Sequence, residues 1–544
     1  MEENSIINEA QAGFRRNYST VDHIFTLLTL VQKQLLNHGK LYVAFIDFKK
    51  AFDLVDRRYL WKILRKNGIR GRMYRAVMSM YEVVKARVRV NGSVTEAFEC
   101  SRGLKQGENC SPILFSLLIN ELANEVEQHG KHGITLSPYL IQILIMLFAD
   151  DVLLISNTVV GLQQQLNILR NAAHKLNLLV NRDKSKIIIF KNGGHVAARE
   201  KWLYDGIRLE VVNQYKYLGV VFSTGLTFSY ALADMAKRAR KGVFGILKLL
   251  WTLGENCPKL FFKLFDCQIQ PMLTYGAEAW GLIADHTVIE RVHLFAIKRL
   301  LNISAKTPSA LVYGEAGRYP LYIQTYTKCI KYWLKVTRMT EDRIPLKAYK
   351  MLCILHCKDK NNWVSNVCFT LYKYGFGHVW ENQGVENVSH FLRAFKQRLI
   401  DCFLQDWNSS IMASDRYAFY SSFKQLHELT PYLTTVKNPV IRKALTRIRL
   451  GVSALRAHQC RYSKVPVNLD CPFCKGTRES EMHFILSSAR NTRPLENHLY
   501  QQSIMFIQTL LNCRCFLQTK KNVHHWPYIY LKHFTFETSL SRSN

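Results

Sequence analysis

Acidic residues are scarce in this chain of 544 residues: 41 Asp and Glu stand against 74 Lys and Arg, a formal charge of +33. A surplus that large points to a polyanionic partner, bound largely through counterion release and more weakly as salt rises. Hydrophobic residues make up 48% of the sequence, which excludes a disordered basic tail. Met1-Glu2-Glu3-Asn4 opens no signal peptide and the 14 cysteines are irregularly spaced. Reduced thiols are therefore expected, with the protein in the nucleus and/or cytoplasm rather than held by disulfides. Internal repeats and low-complexity tracts are lacking. So is an uninterrupted membrane span: Asp150 and Asp151 break the apolar stretch Ile141–Ile155, and each would cost about 2.5–3.5 kcal/mol at mid-membrane.

Those two acids are the most informative feature. Apolar residues before and after Phe148-Ala149-Asp150-Asp151 read as buried strands, and the acids as the tip of a hairpin. Carboxylates at the edge of a core are costly unless a cation offsets them. A tight turn with solvated acids is the plain alternative. A second acid has a similar setting: Leu41–Ile46 is apolar and ends in Asp47, which would otherwise be an N-cap. If the two strands lie side by side, the acids can hold two divalent ions about 3.5–4 Å apart, the arrangement used in nucleotidyl transfer. Asp53 and Asp56 read as caps or surface charges.

Between the acids lies Gly103-Leu104-Lys105-Gln106-Gly107-Glu108-Asn109-Cys110-Ser111-Pro112. Its glycines let backbone approach a substrate, and Gln106 can bond a base or sugar edge. Ser111 followed by Pro112 predicts an N-cap and the start of a helix with a mostly apolar face.

These blocks, in this order, resemble the reverse transcriptase of non-LTR (LINE-type) retrotransposons over roughly residues 11–222. Gln11–Arg15 with Thr20 and Asp22 resembles the early fingers motif, and Phe45–Asp53 the first palm motif. Gly103–Phe115 is similar to the template- and nucleotide-positioning motif. Asn177–Lys186 and Tyr215–Val220 resemble the lysine-bearing motif and the primer-grip hairpin that follow.

The resemblance implies an α+β right-hand polymerase of fingers, palm and thumb with an antiparallel palm sheet, a mostly helical C-terminal region and a small zinc-knuckle-like segment. It implies an RNA-directed DNA polymerase that uses two Mg²⁺ ions held by Asp47, Asp150 and Asp151. Lys184 is expected beside the triphosphate. Phe52 is expected either as the gate that rejects the 2′-hydroxyl or as simple core packing. Arg15, Gly103, Gln106, Gly107 and Ala149 are expected to contact nucleotide or template, and Tyr217, Leu218 and Gly219 to form the primer grip. The partners would be an RNA template, a DNA primer or target and deoxynucleoside triphosphates.

The expected organisation is fingers and palm over residues 1–222, a helical thumb and extension over 223–350 and a helical linker over 351–455. Residues 456–500 would form the knuckle and 501–544 a tail. Residues 193–206 read as a loop. Helices are predicted at Ala231–Leu250, Lys259–Gln270 and Val288–Leu301. Lys237-Arg238-Ala239-Arg240-Lys241 is either a solvated helix face or part of a nuclear import tract. Cys471, Cys474 and His483 have the spacing of three zinc ligands, but Ser488 stands where the family's fourth, a cysteine, is usual. A degraded knuckle is as well supported as a working one. The chain starts near the early fingers motif and shows no endonuclease, so a truncated copy is also expected, with catalysis impaired or reduced to nucleic-acid binding.

Overall fold

The computed structural model describes residues 6–484, apart from 137, 138, 140, 255, 256, 462, 464, 473–475 and 482. Their packing forms two compact units. One contains the residues up to Lys241 with Gln268–Arg291 and Pro320–Ile400; the other contains Gly242–Cys267, Val292–Tyr319 and the described residues from Asp401 onward. The sequence blocks expected to follow one another as thumb, extension and linker are thus interleaved between the units.

The first unit is built on a five-stranded sheet. In spatial order its strands are Glu210–Val211, Lys186–Phe190, Leu41–Ile46, Asp151–Ser156 and Ile145–Phe148. Leu41–Ile46 reads as an unbroken apolar run because both its faces are covered and all six residues are buried. Tyr42, Ala44 and Ile46 share a core with Leu162, Leu166 and Leu169. On the opposite face the Phe45 ring stacks on Tyr215, 4.4 Å between centroids.

Neighbouring strands pair antiparallel except Lys186–Phe190 with Glu210–Val211, which is parallel. The antiparallel expectation needs this correction. After Phe190 the chain makes an excursion over 191–209 before returning in the same direction, and such crossovers create parallel pairs. The excursion is also more ordered than the expected loop. It contains the hairpin Leu203–Tyr204 with Ile207–Arg208, and Trp202 beside it is fully buried. The apolar run before Asp150 is not one strand either. Ile141–Ile143 pairs with Ile134–Leu136, and only after Leu144 does Ile145–Phe148 join the main sheet.

Helix ends follow local chemistry. Asp56 caps Arg57–Lys66 by accepting from the Arg58 N–H, and Thr158 caps Val159–Lys175 by accepting from the Gly161 N–H. The helix expected at Ser111 begins there, but Cys110 occupies the N-cap. Ser111 lies inside the first turn, where its hydroxyl bonds Glu108 (3.2 Å) and Tyr81 (2.9 Å) instead of a backbone N–H. Helices Ser229–Thr252 and Thr287–Leu300 match the predicted periodicity. Pro258–Leu264 runs into a π-helical turn at Phe265–Ile269, a widening just ahead of Pro271. Among the described residues no helix is long and apolar enough to cross a membrane.

Helix Thr20–Leu36 carries the most consequential long-range contact of this unit. Asp22 is 1% exposed and accepts from Lys335 Nζ (2.9 Å), Tyr332 Oη (3.1 Å) and Arg343 Nη2 (3.2 Å). Phe25, one turn on, packs edge-on to both Tyr332 and Trp363. A distant helical segment is thereby fixed to the helix behind the sheet.

In the second unit Leu311, Trp407, Ile411, Tyr420 and Leu450 form a small core. Buried Glu315 pairs with Arg449 at 2.7 Å.

Asp22→Ala removes one of the two carboxylates on the buried Arg343 guanidinium, which keeps Glu9 at 3.1 Å, and takes the acceptor from Tyr332 and Lys335, so it should destabilise the first unit by about 1–3 kcal/mol. Lys350→Ala, which breaks the exposed pair with Glu341, should cost under about 1 kcal/mol. Urea denaturation of the two variants measures the difference, and equal costs would contradict this account of Asp22.

Candidate active site

The register of the central strands decides where the acids meet. Leu41–Ile46 pairs antiparallel with Asp151–Ser156 so that Ile46 lies opposite Val152. One step further along both strands sets Asp47 beside Asp151. Phe148 pairs with Asp151, which leaves Ala149 and Asp150 as a two-residue tip. Asp47, Asp150 and Asp151 are all half-buried, and none of their carboxylates has a protein cation or donor among the described residues. Burial, and after it the charges of Asp150 and Asp47, push the Asp151 carboxyl up to about 6. Burial with the same Asp151 and Asp47 charges pushes the Tyr215 phenol up to about 12. The Asp150 and Asp47 charges are both felt at Asp151. Among the described residues no three His, Cys, Asp or Glu side chains are gathered tightly enough to hold an ion unaided.

Ala149 has φ +58, a left-handed conformation costing about 1–2 kcal/mol outside glycine. Residues 10–13 strap the turn in place. Leu147 N–H donates to Ala10 O (2.8 Å) and Ala12 N–H to Leu147 O (2.9 Å). The fully buried Gln11 accepts on Oε1 from Gly13 N–H (2.9 Å) and Ala149 N–H (3.2 Å). Gly13 lies so close that a Cβ there would collide with the Ala149 backbone nitrogen. Arg15, expected at the nucleotide, is turned inward. It donates to Gln11 O (3.0 Å) and Asn8 O (3.1 Å), with its guanidinium over the Tyr18 ring.

Asp47 is itself clamped by the turn that bears Lys184. Its N–H donates to Ser185 Oγ (3.1 Å), and its carbonyl accepts from Asn181 N–H (2.7 Å). Lys184 is exposed and, among the described residues, free of any ion pair.

Phe52 is half-buried, stacked on Phe115 (4.4 Å) and edge-on to Phe14 (6.3 Å), so one side packs on the core while part of the ring stays open. The loop from Gly103 docks against the same turn. Leu104 N–H donates to Phe52 O (2.8 Å), and Gln106 Nε2 donates to Asp53 Oδ1 (3.0 Å). A Cβ on Gly103 would meet Asp53 O at 2.7 Å, so its glycine serves packing within the protein; Gly107, with φ +85, has open space around it.

The hairpin Gln214–Tyr217 and Val220–Ser223 turns at Leu218 and Gly219, both with positive φ. Tyr217 is buried with its hydroxyl 3.0 Å from His23 Nδ1. Burial lowers His23 to about 4, which leaves it neutral near pH 7. Tyr275, in a segment to which the sequence assigned no chemistry, donates to Leu218 O (3.0 Å), and its ring leaves no room for a Cβ on Gly219. Gln11 and Ser185 lie inside the motifs read from the sequence without a role of their own there, and Tyr275 lies outside them. Each acts on a backbone group, so only the spacing of its neighbours hinted at it.

Of the zinc candidates, Cys471 is buried and its N–H donates to Thr477 O (2.7 Å), while His483 N–H donates to Ser480 Oγ (3.2 Å). Cys474 lies outside the described residues.

The antiparallel strand pair thus brings two strand-end acids together, with the lysine-bearing turn hydrogen-bonded to the backbone of one of them. Residues 1–222 match the family described as reverse transcriptase (RNA-dependent DNA polymerase). Among curated relatives, the RNA-directed DNA polymerase from mobile element jockey of Drosophila funebris is 25% identical over 309 residues, 55% of this chain and 32% of that protein. The Pol polyprotein of the type-1 element R2 of Popillia japonica is 27% identical over 256 residues, 45% of this chain and 40% of that one. The type-2 element R2DM polyprotein of Drosophila melanogaster is 26% identical over 330 residues, 57% of this chain and 29% of that one. The match thus spans well under half the length of each of these relatives.

Gly13→Ala should destabilise the protein by about 1–3 kcal/mol through its collision with Ala149. Gln11→Leu should cost about as much, because two buried N–H groups lose their acceptor. Denaturant melts read both; a Gly13→Ala variant as stable as the parent would contradict the strap.

Proposed function

We propose that this chain is an RNA-directed DNA polymerase of a non-LTR retrotransposon, extending a primer 3′-hydroxyl along an RNA template with deoxynucleoside triphosphates. The observation that carries the reading is the Ile46–Val152 register, which sets Asp47 beside Asp150 and Asp151 with their charge unbalanced. An all-oxygen, doubly or triply negative edge of rigid sheet fits hard divalent cations such as Mg²⁺. Bound there, Mg²⁺ would activate the primer hydroxyl and neutralise the departing pyrophosphate.

The protein's own groups complete the chemistry. Lys184, tethered one turn from Asp47 and unpaired, neutralises or protonates the leaving group. Phe52 presents the open part of its ring to the sugar, where a 2′-hydroxyl is the difference between the two nucleotide classes. Gly107 and the Ala149 backbone line the nucleotide. Gly103 and Gln106 hold that loop to Asp53, and the Leu218–Gly219 turn, braced by Tyr275, guides the primer end. Arg15 belongs to the strap rather than to the substrate. The net charge of +33 suits template and primer backbones. Cys471, Cys474 and His483 supply three donors of a zinc knuckle, which if loaded would serve local folding and nucleic-acid grip.

Primer extension on an RNA template with Mg²⁺ is the test. Asp150→Asn should lower the rate on the order of 10³-fold, the loss of several kcal/mol of charge stabilisation, with RNA binding intact. No product from the unmodified chain, with retained salt-sensitive binding, would leave a nucleic-acid-binding remnant.

Phe52→Val should raise ribonucleotide incorporation relative to deoxynucleotide by about tenfold or more, whereas unchanged selectivity would leave Phe52 a packing residue.

Asp151 gains a proton as pH falls through about 6 and then offers less charge to a cation. The Mg²⁺ concentration for half-maximal extension should therefore rise below pH 6. Asp151→Asn should remove that rise, and a parent profile flat in this range would contradict the reading.

A further inference from the structure

The second unit holds a groove of about 480 Å³ that the polymerase reading does not use. It lies between the ends of helices Ser229–Thr252 and Thr287–Leu300 and the segment that enters helix Pro439–Arg449. Its floor is apolar, with Leu247, Leu250, Leu300 and Leu433 among the lining residues, and its rim carries Arg299, Lys437 and Lys443. No Asp or Glu lines it among the described residues.

Lys437 and Lys443 have no ion pair or hydrogen bond among the described residues. Two acids of this unit are already paired with other arginines. Asp266 is taken by Arg318, and Glu315 by Arg449. Arg442, buried beneath the rim, spends its guanidinium on Leu433 O (3.3 Å) and Val436 O (3.4 Å), which fixes the wall. At one end the Trp251 indole is 82% exposed, an unusual position for the largest apolar side chain.

We propose that this groove binds single-stranded polynucleotide, with bases stacking on Trp251 and the apolar floor and phosphates meeting Arg299, Lys437 and Lys443. Alternatives use only part of the site. A neutral peptide leaves the cations uncompensated. A duplex supplies phosphates but keeps its bases paired and offers no face to the indole. A single strand supplies charge and aromatic faces together, the combination by which proteins hold such strands without reading sequence.

The test uses the full chain and fluorescein-labelled oligouridylate, oligothymidylate and a duplex, followed by anisotropy across a salt series. Trp251→Ala should weaken single-strand binding about fivefold or more, and Trp251→Phe should restore most of it, with duplex binding unchanged. Lys437→Glu with Lys443→Glu should flatten the salt slope by roughly 1.4, two phosphate contacts at about 0.7 each. Lys331→Glu with Lys358→Glu, an equal charge change at exposed residues of the first unit, should leave the slope closer to the parent's. A loss with oligouridylate alone assigns the groove to RNA; a loss with both strands assigns it to either polynucleotide. The proposal fails if the groove and control variants behave alike, if Trp251→Phe is as weak as Trp251→Ala, or if polyglutamate competes as well as the oligonucleotides. Binding is read without polymerisation, so an inactive polymerase would not be mistaken for an empty groove.

Discussion

Like-charge repulsion at one end of an antiparallel strand pair is the constraint around which the first unit is organised. Asp47 and Asp151 are set side by side by backbone pairing, not by attraction between their side chains. The surroundings make the repulsion worse: burial raises Asp151, and among the described residues no cation is paired with it. Such a site is stable only because the strands bearing the acids are buried on both faces and cannot separate. A core of Tyr42, Ala44, Ile46 and Leu162 on one side, and Phe45 against Tyr215 on the other, supplies that rigidity.

Part of the strained backbone lies in the segments that build this site. Phe14, Lys50, Ala149 and Leu218 all have left-handed φ, at about 1–2 kcal/mol each. For two of them a polar side chain from elsewhere in the chain holds the strained residue. Gln11 accepts from the Ala149 N–H and Tyr275 donates to the Leu218 carbonyl. Neither residue carries chemistry of its own. Both keep a turn in the one conformation that points an acid, or a primer end, in the required direction.

How much of this was legible from the amino acids depended on the range of the interaction. Leu41–Ile46 and Val152–Ile155 could be read as strands because full burial makes every residue apolar. That same uniformity hid the break at Leu144, since an apolar run does not record which strand it pairs with. Asp56 and Thr158 act within a turn of their own position. Ser111 was misplaced by one residue because Glu108 and Tyr81 compete for its hydroxyl. Asp22 meets Lys335 and Arg343 more than 300 positions away, and the inward turn of Arg15 depends on Tyr18 and on the fold of the strap. Motif order found the acids without locating anything that holds them.

Whether the carboxylates act together is open to direct observation by replacing Mg²⁺ with Fe²⁺ and initiating hydroxyl-radical cleavage of the protein backbone. An ion shared across the sheet edge predicts two cuts, one near Asp47 and one near Asp150, both lost when Mg²⁺ competes. A cut at only one of these strands, or none at either, would contradict the shared site.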